Sequence, residues 1–256
     1  MDDLLIKLNN SISRKQIIPI RISTTSSEYS VKFDPEITLK EDCDYKIGLY
    51  YFDGTNTVFN ISAAKGNNVF SYFNGTNWKI ITIPNGGYEI IELNDKIQSI
   101  MKANGDYTAP STYYISIGID RPTLRTYISL ANNYAVDFTA YPGLNIILGF
   151  LPQQYNTQGT TYSPNAADIT DVESINVTCN IASGFYLNGK TSNLLFSYPV
   201  PVPIGYTFRI LPSTIIYLPV RVKRFGEITF KIVNEDGNLI DFNGYPIRFV
   251  VLIEQV

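Results

Sequence analysis

Short runs of β-branched and aromatic residues, cut every few positions by Gly, Pro or Asn, recur along most of the chain. That pattern predicts an all-β fold of the sandwich or barrel kind. The clearest strands fall at residues 29–33, 45–52, 78–83, 113–119, 124–130, 175–181, 215–220, 227–233 and 247–253. In residues 227–232 every second side chain is apolar, which sends one face to a core and the other to water. Over residues 88–103 the period changes. Leu93, Ile97, Ile100 and Met101 fall on one helical face, and Asn104-Gly105 supplies a stop, so a single helix is expected around 90–103, packed across an open end or face of the sheet within the same domain.

Between these elements, Asp53-Gly54, Asn74-Gly75, Asn85-Gly86-Gly87, Asp236-Gly237 and Asn243-Gly244 mark turns. Residues 152–170 are polar and lack periodicity, which predicts one long exposed loop. Residues 1–22 hold two short apolar runs around a polar middle and are read as an N-terminal arm. Leu4, Leu5, Ile6, Ile17 and Ile18 are its candidate subunit-interface residues, and a single domain is expected over 23–256.

Composition changes the picture mainly by exclusion. The net charge is −3, so no global positive field draws the chain to nucleic acid, and nucleic-acid binding is not expected. The acidic start, Asp2-Asp3, and the strand-length apolar runs predict neither a signal peptide nor membrane insertion. Cys43 and Cys179 are too few for a disulfide framework or a metal cluster. Nineteen tyrosines suit sheets and interfaces.

The chain has no histidine, which removes Ser-His and Cys-His nucleophile pairs and His-ligated metals. Gly184, Gly189, Lys190 and Thr191 satisfy the phosphate-binding loop pattern, yet an extended, Pro199-terminated segment follows where that loop must open a helix. Asn234 to Asn238 lacks the alternating ligands of a calcium loop and reads as a hairpin turn. No catalytic residue, cofactor, metal or small-molecule substrate is expected, although carboxylates such as Glu41, Asp42 and Asp44, or Glu235 and Asp236, are the pairs an enzyme would have to use.

Several phrases stand in an order that resembles the penton, or minor capsid, proteins of Polinton/Maverick elements and of related adintoviruses and virophages. They begin with residues 31–39 (VKFDPEITL), 45–52 (YKIGLYYF), 59–61 (FNI) and 83–90 (IPNGGYEI), and continue with 136–138 (VDF) and 144–150 (LNIILGF). The closing phrases are 194–197 (LLFS), 203–206 (PIGY), 217–220 (YLPV), 228–232 (ITFKI) and 236–242 (DGNLIDF), so the resemblance covers about residues 28–253. It implies a single jelly roll of two facing four-stranded antiparallel sheets. It also implies a structural role: a homopentamer at the five-fold vertices of a virion, beside a larger major capsid protein. A long inserted domain, such as some virophage pentons carry, is not expected. The rival readings are an internal cement protein of the capsid and a carbohydrate-binding jelly roll. The latter would cluster exposed aromatics beside Asn and Asp at one end.

Overall fold

A computed structural model of the protein describes residues 16–256 except 170, 171, 188 and 201. The chain opens with three strands, β1 (Ile17–Thr24), β2 (Glu28–Thr38) and β3 (Tyr45–Thr55). There follow β4 (Val69–Phe73), β5 (Trp78–Thr82), helix α1 (Ile90–Ala103), β6 (Ile115–Asp120), β7 (Arg125–Leu130), β8 (Ala135–Asp137), a one-turn helix α2 (Leu144–Ile147), β9 (Gln154–Tyr155) and β10 (Gly159–Tyr162). The remainder holds β11 (Ser174–Cys179), β12 (Phe185–Leu187), β13 (Lys190–Ser192), β14 (Leu194–Pro199), β15 (Thr207–Ile210), β16 (Leu218–Pro219), β17 (Arg224–Val233) and β18 (Ile247–Gln255).

The first and last groups form one unit, residues up to Thr57 with Val172–Val256. Its sheets run in the orders β1-β18-β3-β15, with β16 added beside β3, and β14-β11-β17-β2. Every described ladder is antiparallel. Among these eight ordered strands, each connection except β11 to β14 crosses from one sheet to the other, which is the winding of a jelly roll. Alternation explains the faces. In β1, Ile20 and Ile22 are buried while Ile17 is exposed; in β17, Ile228, Phe230 and Ile232 are buried. Phe230 of one sheet meets Phe249 of the other edge to face, with ring centres 5.1 Å apart, inside the shared core.

The expected strand at 215–220 shrinks to two residues. Pro219 has no N–H to extend a ladder, and the carbonyl of Ile216 lies so close to β3 that a side chain at Gly48 would reach within 2.9 Å of it.

Val58–Asp171, inserted between β3 and β11, is a second compact unit with its own sheets, β5-β4-β8-β9 and β10-β7-β6. This corrects the single-domain expectation and the expectation of no long insert. Helix α1 belongs here. Its stripe Ile90, Leu93, Ile97 and Met101 is buried in a core with Phe70, Tyr72, Ile115, Ile128, Phe138 and Leu148, and Ile100 is only partly covered. Asn94 Oδ1 accepts from Ile117 N–H at 2.8 Å, tying the helix to β6. Glu92 accepts from the Glu89 N–H at 3.0 Å at the helix start.

Two further expectations give way. Residues 17–22 are an integral strand and not an arm, because every residue of β1 pairs with β18; residues 1–15 lie outside the described residues. The stretch 152–170 is not one loop. It contains β9 on β8 and β10 on β7, with Tyr155 and Ser163 buried. Two- and four-residue strands are too short for periodicity to register.

Candidate functional site

The surface residues that could carry function sit on sheet edges and sheet faces. Of the candidate interface residues, Leu4, Leu5 and Ile6 fall outside the described residues. Ile17 and Ile18 open β1, an edge strand, and point to opposite faces. Ile17 is 55% exposed, whereas Ile18 shares the core side with Ile20 and Ile22. At the far edge of the other sheet, Phe196 and Tyr198 of β14 stack with ring centres 5.9 Å apart. Their ladder partners Val177 and Ile175 are buried, so these rings share the core-facing side, yet Tyr198 remains exposed where the sandwich opens.

The chemistry weighed from sequence resolves locally. Phe185–Leu187 and Lys190–Ser192 pair antiparallel as β12 and β13, with Tyr186 opposite Thr191, so Lys190 and Thr191 lie on a strand and do not open a helix. Asn234 Oδ1 accepts from the N–H groups of Asp236 and Asn238 at 3.1 and 2.9 Å, the turn the sequence implied. Glu235 accepts from the N–H groups of Glu173 and Ser174, both at 3.1 Å. The side chain of Asp44 is 94% exposed and sits 3.8 Å from Lys223. Among the described residues no three His, Cys, Asp or Glu side chains gather as metal ligands, and no helix is long and apolar enough to cross a membrane.

In the inserted unit Asp106 is 5% exposed and faces a cation and not a second carboxylate. Lys79 Nζ donates to its two oxygens at 2.8 and 3.0 Å, Asn74 Nδ2 at 2.9 Å, and the Tyr72 hydroxyl also donates to it. Desolvation alone would raise its pKa. The hydrogen bonds from Lys79, Tyr72 and Asn74 and the Lys79 charge outweigh it and hold the carboxyl below its ordinary value. Burial, then the bond to Asp106, pushes the Tyr72 hydroxyl up. The arrangement pins the turn after α1 to the β4–β5 hairpin.

One constellation was not anticipated. On the outer face of the first jelly-roll sheet, Arg209 of β15 and Arg248 of β18 are both ladder partners of Asp53 on β3, which places the three side chains in a row. Tyr51 donates its hydroxyl to Asp53 Oδ2, and that bond, followed by desolvation and the nearby negative charge, raises the Tyr51 pKa. Arg248 Nη1 lies 3.9 Å from the same oxygen, and the Arg209 guanidinium lies over the Tyr51 ring at 5.7 Å. Asp53 Oδ1 is buried and has no hydrogen-bond partner among the described residues; such an acceptor costs about 1–3 kcal/mol. A cavity of about 660 Å³ opens here, lined by Asp53, Thr55, Thr207, Arg209, Tyr245 and Arg248 among others. No local motif could have revealed it, because its charges come from three strands far apart in the chain.

Sheets and edges together define an all-β jelly-roll protein with a folded unit inserted after its third strand. The structure is similar to the crystal structure of the mavirus penton protein, at a TM-score of 0.48 and 12% identity, covering 94% of this chain and 100% of that one. No protein-family model and no curated protein matches the sequence.

Proposed function

We propose that this chain is a structural capsid protein without catalytic activity, a penton subunit that associates as a homopentamer at the five-fold vertices of a virion beside a larger major capsid protein. The observation that carries the reading is the winding of the two sheets, β1-β18-β3-β15 against β14-β11-β17-β2. It is the jelly roll that the ordered phrases over residues 28–253 imply. Exposed Ile17 on one edge and Tyr198 on another supply apolar contact area for copies of the chain. A specific interface of standard size would bury roughly 1,200–2,000 Å².

Light scattering on the purified protein over a range of concentrations tests this. A mass five times that of the 28.8 kDa chain, reached reversibly as concentration rises, is the expected result. A monomer at every concentration would overturn the vertex reading and leave the cement role, in which the chain binds a major capsid protein and not itself.

A further inference from the structure

In the inserted unit β5 is the end strand of its sheet, and the phase of its pairing fixes what that edge offers. The Asn74 N–H donates to the Asn77 carbonyl at 3.1 Å and the Ile83 N–H to the Asn68 carbonyl at 2.7 Å, at the two ends of the β4–β5 ladder. Alternation makes Tyr72–Lys79 and Phe70–Ile81 the hydrogen-bonded pairs between them, so the N–H and C=O groups of Trp78, Ile80 and Thr82 point away from β4. No group among the described residues bonds to them. Their side chains stand on the exposed face: Trp78 is 47% and Ile80 54% exposed, and the Phe73 ring lies 5.6 Å from that of Trp78. The one charge on the strand, Lys79, turns inward to Asp106, and the strand has neither proline nor bulge to discourage an incoming partner. At β6, an edge of the unit's other sheet, α1 covers such groups. Asn94 Oδ1 accepts from the Ile117 N–H at 2.8 Å, and Gln98 Nε2 donates to the Ile115 carbonyl at 3.4 Å.

We propose that β5 is a docking edge for the β5 of a second copy of this chain, joined antiparallel about a two-fold axis at Ile80. The strand is complementary to itself in this register. Ile80 stands opposite its own copy and Trp78 opposite Thr82, so every outward N–H and C=O of the three residues finds a partner, two hydrogen bonds to each opposed pair. Lys79 falls opposite Ile81, and the exposed face gains a continuous ridge of Trp78 and Ile80 from both copies. Neighbouring registers are worse. One sets Lys79 opposite Lys79, and the other sets Trp78 opposite Pro84, which has no N–H to give. A two-fold pair closes on itself, because each copy spends its β5 edge once. The proposal rests on the inserted unit and not on ring formation. Pairing doubles whatever species the chain otherwise forms, two copies from a monomer or ten from a pentamer, so the two readings can fail separately.

Cysteine cross-linking of the full-length protein tests the register. Opposed residues of a hydrogen-bonded pair have Cα atoms about 5.5 Å apart, within the roughly 4.4–6.8 Å that a disulfide spans. Two copies of residue 82 would lie more than about 13 Å apart. In a Cys43→Ser background, which removes the less buried native thiol, Ile80→Cys should therefore form a disulfide-linked dimer under mild oxidation, and Thr82→Cys should not. Ile80→Lys sets two like charges opposite each other, and light scattering should show the doubling weakened about tenfold or more. The side chain is exposed, so the variant should fold, which circular dichroism checks. Trp78 emission, which reports the inserted unit alone, should shift to the blue as concentration rises in the wild type and stay fixed in Ile80→Lys. The proposal is overturned if Ile80→Cys gives no dimer, if Thr82→Cys cross-links as readily, or if folded Ile80→Lys doubles like the wild type.

Discussion

Replacing Asp106 by alanine removes the one acceptor on which Lys79, Asn74 and Tyr72 converge. Breaking a buried ion pair by deleting one partner costs about 3–5 kcal/mol. Lys79 keeps 33% of its side-chain surface in water, so its ammonium group rehydrates and part of that cost is recovered. Tyr72, fully buried, cannot reach water and keeps only the bond it accepts from Asn104 Nδ2 at 3.2 Å; a hydroxyl stranded this way costs about 1–2 kcal/mol. The net expectation is a loss of about 3 kcal/mol, a large share of the roughly 5–15 kcal/mol that holds a domain. Trp78, the chain's only tryptophan, sits on β5 next to Lys79, so its fluorescence during urea unfolding reports the inserted unit. The sign with pH is fixed by the lowered Asp106 pKa. The stabilisation is complete above the unfolded carboxyl value, about 3.9, and is lost as pH falls through the lower folded value. Wild-type stability read at Trp78 should therefore decline below about pH 4 more steeply than that of Asp106→Ala. A loss smaller than about 0.5 kcal/mol, or a Lys79→Ala/Asp106→Ala double variant as destabilised as the sum of the singles, would refute the coupling.

Two other consequences can be checked directly. Residues 58–171 expressed alone should fold cooperatively with dispersed amide resonances, because every member of the α1 core cluster lies within that span; a molten or unfolded fragment would contradict the division into units. Cys179 is fully buried in β11 and burial pushes its thiol up to about 11, so iodoacetamide at mildly alkaline pH should leave it unmodified until denaturant is added, as read by peptide mass spectrometry.

Period and turn chemistry carried much of the fold. The alternation in 227–232 lies inside β17, the stripe at 93–101 is the buried face of α1, and the strands at 45–52 and 247–253 lie within β3 and β18. What periodicity cannot convey is partnership. A strand's pattern says which side chains face a core, not which core, so the runs at 78–83 and 113–130 read like those of the jelly roll although they close a separate unit. For the same reason the stripe of α1 shows that the helix has an apolar face to bury and not which sheet it covers. The Arg209–Asp53–Arg248 row escaped notice because it exists only through the registers of β3 with β15 and β18, contacts that span much of the chain. Ile17 stood out as apolar in sequence, but its outward direction depends on the phase of β1 against β18.

That phase also says how copies of the chain avoid uncontrolled pairing. Gln255 N–H donates to the Gln16 carbonyl at 2.9 Å, which makes the opposed pairs of even-numbered β1 residues the hydrogen-bonded ones. The nitrogen of Pro19, opposite Leu252, therefore points away from β18, at the position where an incoming strand would look for a donor. Both edges of the other sheet carry similar guards, Lys32 and Pro35 in β2 and Pro199 in β14. Such guards matter because strand addition at an open edge can propagate without closing. Pro19→Val restores the missing N–H without disturbing a bond to β18. It should leave urea stability within about 1 kcal/mol of wild type while raising the rate at which concentrated protein forms large aggregates, followed by light scattering. A clear fall in stability with no change in aggregation would place the Pro19 nitrogen on the β18 side and undo the argument.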